Sequence, residues 1–101
     1  MTGYRMQVVT LCGSMRFAKQ MQQIAVDLET KQGYCVLQPV FDADVTLNEQ
    51  DIANLSKAHF KKIDLSDIVY IVNVGGYIGK SVTEELQYAK LQNKKIIYHE
   101  T

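Results

Sequence analysis

The chain has 101 residues, 11 Lys and Arg against 11 Asp and Glu, and 47% hydrophobic residues, which suits one domain spanning 1–101 and excludes a two-domain enzyme. Zero net charge and a pI near 6.7 exclude the summed positive field that gathers nucleic acid polymers or anionic membrane. No run approaches the roughly 18 apolar residues of a membrane span, and the first residues lack a signal peptide's apolar stretch, so a cytoplasmic protein is expected.

Residues 8–12 form a short β-branched run ending at Gly13 and Ser14. Phe17, Met21, Ile24, Ala25 and Leu28 then recur at helical spacing, so strand, turn and helix are predicted in that order. Gly33 suits the residue that stops a helix, and 34–38 predict a second strand cut off by Pro39. Residues 40–45 read as a loop. Thr46 and Glu49 fit a capping box, opening a helix with Ile52, Leu55, His59 and Ile63 on one stripe. Residues 68–72 are the most apolar run, the pattern of a central parallel strand buried on both faces. After a glycine-rich turn at 73–79, Ser81 and Glu84 fit another capping box. The helix that follows runs to about Asn93, and 95–98 predict a last strand.

Strands alternating with helices predict an α/β fold, a Rossmann-like or flavodoxin-like three-layer sandwich with a parallel sheet of about four strands in the order 2-1-3-4. Cys12 and Cys35 stand without CxxC or a histidine cluster. Both read as buried small hydrophobes, and no metal or cofactor is expected.

In an open parallel sheet, ligands bind beyond the carboxyl ends of the strands, where strand order reverses. The turn at Gly13 and Ser14 opens a helix with free amides, and Arg16 adds a forked cation, so it suits a phosphate or carboxylate. A plain turn with Ser14 as N-cap fits equally well. The second turn, with Gly75, Gly76 and Gly79 before Lys80 and Ser81, is not a P-loop, because the required glycine five residues before Gly79 is Val74. The turn still lets backbone approach a ligand closely, and Asn73 leads into it.

Glu84 and Glu85 follow. With Val82, Leu86 and Ala89 as the buried stripe, Glu85 lies about 65° from its centre and edges the cleft, whereas Glu84 points nearly opposite. A carboxylate beside a helix N-terminus suits a nucleophile toward an electrophilic carbon; a solvated surface acid is the plain alternative. His59 is either a packed core histidine or a proton-exchanging group. Asp67 is either catalytic or a strand-entry residue accepting backbone amides.

Residues 11–16, Leu-Cys-Gly-Ser-Met-Arg, resemble the first-strand turn of the 2′-deoxynucleoside 5′-monophosphate N-glycosidases, relatives of the nucleoside 2-deoxyribosyltransferases. Residues 63–72 are similar to the family's lead into its central strand, and 79–89 to its glycine turn and nucleophile helix. The resemblance implies that Glu85 attacks the anomeric carbon of a small nucleoside or its 5′-monophosphate, with hydrolysis or deoxyribosyl transfer to follow. It implies that Gly13, Ser14, Arg16 and Ser81 line the sugar and 5′ substituent. His59 stands where the family usually has an aspartate that assists proton transfer. A homodimer is implied too, and Tyr88 and Leu91, read as outward-facing, add apolar area for it. The competing reading is a non-catalytic nucleotide-binding or sensor module on the same fold.

Overall fold

Four apolar, largely β-branched runs become the strands of one parallel sheet in a computed structural model that describes residues 5–41 and 45–101. In chain order they are β1 (Val8–Gly13), β2 (Cys35–Leu37), β3 (Ile68–Val72) and β4 (Lys95–Tyr98), arranged β2-β1-β3-β4. The helices between them are α1 (Ala18–Gln32), α2 (Glu49–Leu65) and α3 (Lys80–Leu91). The expected α/β sandwich and strand order are therefore present. Part of the expected loop at 40–45 lies outside the described residues.

The pleat decides which side chains meet which helix. Val9 and Leu11 of β1, with Ile68 and Val72 of β3, face Phe17 and the Met21, Ile24 and Ala25 stripe of α1. Cys12, Val69 and Ile71 face the other way, against Ile63 of α2 and Val82 and Ala89 of α3. The two layers share β1 and β3, paired with Cys12 opposite Ile71 and Gly13 opposite Val72. Each large side chain fully buried in these layers contributes about 1.5–3 kcal/mol. At Gly13 the sheet admits no side chain: a Cβ would stand 2.9 Å from both Val72 Cβ and Met21 Sδ.

The helix ends follow the local chemistry, with two corrections. Gly33 stops α1 in the left-handed region at φ 71°, as expected. The start of α2 lies two residues later than the Thr46 and Glu49 box. Asn48 Oδ1 accepts from Asp51 N at 2.7 Å and Asp51 Oδ2 accepts from Asn48 N at 3.0 Å, asparagine being the stronger N-cap. At α3 the cap is Gly79 with no side-chain bond; Ser81 lies inside the helix and Glu84 is exposed. The left-handed Asn93, φ 58°, follows the end of α3.

Candidate active site at the carboxyl edge of the sheet

β1 connects leftward to β2 while β3 connects rightward to β4, so the loops leaving β1 and β3 diverge and open a crevice between them. A cleft of about 550 Å³ lies there, within the usual range for small-molecule sites. Its floor is Gly13, Ser14 and His59; one wall is Ile52, Leu55 and Phe60 of α2; the other is Tyr77 and the first turns of α3. The apolar stripe predicted on α2 thus divides: Ile63 enters the core, His59 is buried at the cleft floor, and Ile52 and Leu55 line the cleft wall.

Three elements far apart in sequence meet at the floor. Cys12 ends the α2-facing row of β1, His59 is buried on α2, and Glu85 comes from the second turn of α3. Cys12 Sγ and His59 Nε2 are 3.4 Å apart, and the same Nε2 is 3.4 Å from Glu85 Oε1. The Glu85 side chain is 16% exposed, accessible from the cleft but largely withdrawn from bulk water. Burial, reinforced by the neighbouring Glu85 carboxylate, pushes the Cys12 thiol well above its ordinary value, so it stays protonated at neutral pH.

His59 Nδ1 is buried without a hydrogen-bond partner among the described residues. A proton on Nδ1 would be an unpaired buried donor, so the tautomer with its hydrogen on Nε2 suits this site. Nε2–H then donates to Cys12 Sγ, and the thiol in turn is free to donate to Glu85.

The mouth of the cleft is held by an aromatic bridge. The Arg16 guanidinium lies over the Tyr77 ring, 3.9 Å from its centroid, joining the loop after β1 to the loop after β3. Ser14 Oγ accepts from Arg16 N at 3.3 Å, so Ser14 caps the single helical turn that precedes α1. Lys80, at the start of α3, supplies a second cation to the rim.

Of the residues singled out in the sequence, Gly13, Ser14, His59, Gly79, Ser81 and Glu85 border this cleft, with Arg16 one ring away. The remaining four do not. Asp67 lies at the opposite edge of the sheet, where Oδ2 accepts from Val8 N at 2.9 Å and Oδ1 pairs with Arg5 at 3.0 Å; it is a strand-entry residue and takes no part in the cleft. Asn73 is occupied by backbone, donating to Glu100 O at 2.9 Å and accepting from Glu100 N at 2.8 Å. Gly75 and Gly76 adopt left-handed φ of 65° and 80° in an exposed turn whose Gly75 N donates to Glu100 Oε1 at 3.1 Å, again away from the cleft. Glu84, expected to point away, reaches the rim beside Glu85.

Sequence reasoning missed Cys12, Tyr77 and Lys80. The signal for Cys12 was parity: it is the last residue of β1 on the face away from α1, next to the turn. No family model and no curated protein matches this chain. Among the described residues, no helix is long and apolar enough to cross a membrane.

Proposed function

We propose that the cleft binds a small nucleoside or nucleoside 5′-monophosphate and that Glu85 cleaves its N-glycosidic bond, by hydrolysis or by deoxyribosyl transfer. The observation that carries this reading is Glu85 itself: a sheltered carboxylate at the strand-order switch point, open to the cleft and 3.4 Å from an imidazole nitrogen. In the reaction, a Glu85 oxygen bonds to the anomeric carbon as the carbon–nitrogen bond breaks, and the electron pair leaves with the base, which takes up a proton. His59 is the proton-exchanging group beside the nucleophile. Water or a second base then displaces Glu85 from the sugar. The sequence resemblance supports the same chemistry.

The test is incubation with the four 2′-deoxynucleoside 5′-monophosphates, following free base by chromatography. Release of base supports the reading; intact nucleotide after long incubation at high enzyme concentration removes it. The second reading, a nucleotide-binding module without turnover, is favoured by the engagement of Glu85 with His59, which lowers the carboxylate's availability for attack. Calorimetric binding without base release distinguishes it.

Arg16 and Lys80 at the rim suit a 5′-phosphate. Arg16→Ala is expected to raise KM for the monophosphate about 10- to 100-fold, the equivalent of one charge-assisted hydrogen bond. The KM for the parent nucleoside should stay close to wild type. Equal losses for both substrates would mean that Arg16 holds the loops rather than the phosphate.

A homodimer belongs to the same proposal, although its apolar surface differs from the expected one. Tyr88 turns inward, packing edge-on against Phe60 and donating to Asp64, whereas Leu91 is 78% and Leu65 60% exposed at the ends of α3 and α2. Light scattering in dilute buffer should give about twice 11.5 kDa; a monomer mass overturns it.

A further inference from the structure

We propose that Cys12, His59 and Glu85 form a mononuclear site for a borderline-soft divalent cation of the Zn²⁺ type, with its fourth coordination position facing the cleft. Among the described residues this is the one group of three metal-ligating side chains brought together, its ligand atoms all within 4.8 Å of one another. The spacing matches coordination more closely than proximity alone requires. With Zn–S near 2.3 Å and Zn–N or Zn–O near 2.0–2.1 Å, adjacent ligands on a tetrahedron stand about 3.3–3.5 Å apart. The observed Sγ to Nε2 and Nε2 to Oε1 separations are both 3.4 Å. The remaining edge, from Cys12 to Glu85, closes by rotation of the Glu85 side chain, the least buried of the three.

The donor set selects the ion. One sulfur, one imidazole nitrogen and one carboxylate suit Zn²⁺, whereas Mg²⁺ and Ca²⁺ take oxygen. Three protein ligands with an open position are the arrangement of catalytic rather than structural zinc. A thiolate and a carboxylate together balance the ion's two positive charges, so the filled pocket carries no net charge. Binding breaks the Cys12 S–H bond, moves the His59 hydrogen from Nε2 to Nδ1 so that the Nε2 lone pair meets the ion, forms the sulfur–metal bond and releases one proton, that of the thiol, to solvent.

A Glu85 carboxylate whose charge is neutralised by a bound cation is a poor nucleophile. Occupancy by Zn²⁺ therefore suppresses attack by Glu85, and this consequence alone rests on the glycosyl-transfer reading; the metal site rests on the cluster's geometry.

The experiment titrates chelator-treated protein with Zn²⁺ by calorimetry and with Co²⁺ by absorption spectroscopy. One ion per chain is expected, with a thiolate-to-cobalt charge-transfer band and the intense visible bands of four-coordinate cobalt. Cys12→Ser should abolish the charge-transfer band, and Cys35→Ser should keep it. Glu85→Gln, which keeps the side chain's shape at the least buried member of the cluster, should weaken binding by more than about 10-fold, and serves if Cys12→Ser does not fold. Absence of binding, loss of the band in Cys35→Ser instead of Cys12→Ser, or undiminished affinity in Glu85→Gln overturns the site. Base release is read separately. If turnover is present and excess Zn²⁺ leaves it intact while bound, the suppression fails; if turnover is absent, metal binding is still decided by the titrations.

Discussion

Glu85→Gln is expected to lower the rate of base release from a 2′-deoxynucleoside 5′-monophosphate by about 10³-fold or more, the equivalent of about 4 kcal/mol of transition-state stabilisation. The amide keeps the shape of the side chain but cannot form a stable bond to the anomeric carbon. Because Glu85 lies on the cleft side of α3 rather than in the α2 and α3 core layer, the same substitution should leave the unfolding midpoint nearly unchanged. Rate loss without stability loss is the pattern of a group acting on substrate. Single-turnover assays with enzyme in excess check it, and a variant as fast as wild type would remove Glu85 from the chemistry.

Leu11→Ala is expected to cost about 2–5 kcal/mol of stability, a large share of the roughly 5–15 kcal/mol that holds a domain of this size. Leu11 is fully buried in β1, paired with Tyr70 of β3 and facing the stripe of α1, so its truncation leaves a cavity between sheet and helix. Leu91→Ala, at a side chain left mostly in water, should change stability by less than about 0.5 kcal/mol. Urea unfolding followed by circular dichroism measures both. A loss below about 1 kcal/mol for Leu11→Ala would mean that α1 is not held against the sheet by this layer.

The strands were readable because their apolar runs are short, β-branched and bounded by Gly13, Pro39, Asp67 and the turn at Asn93. β3 and β4 begin and end where the sequence pattern puts them. The helix starts were less readable. Thr46 and Asn48 are both good caps with an acid three residues on, and only the competition between them decides the start of α2. The capping box read at Ser81 failed because Gly79 already supplies an extended residue at the right place.

For the cleft, helical register brought Glu85 and His59 to the correct side but turned Glu84, which also reaches the rim, away from it. Asn73 and Asp67 misled because a polar residue at a strand end serves backbone pairing as well as it serves a ligand. Which use prevails depends on partners such as Glu100 and Val8, 27 and 59 residues away. Cys12 was passed over for the opposite reason: a lone cysteine in an apolar run looks like filling until α2 and α3 are laid over it.

The arrangement of Cys12 and Leu11 on opposite sides of one strand makes the chemistry of this cleft a matter of odd and even. Adding or removing a single residue within β1 would exchange their environments, sending the sulfur toward α1 and a leucine toward His59. Insertions in the connections leave that count untouched, so variation between strands can reshape the cleft while the cluster of Cys12, His59 and Glu85 tolerates no change of phase.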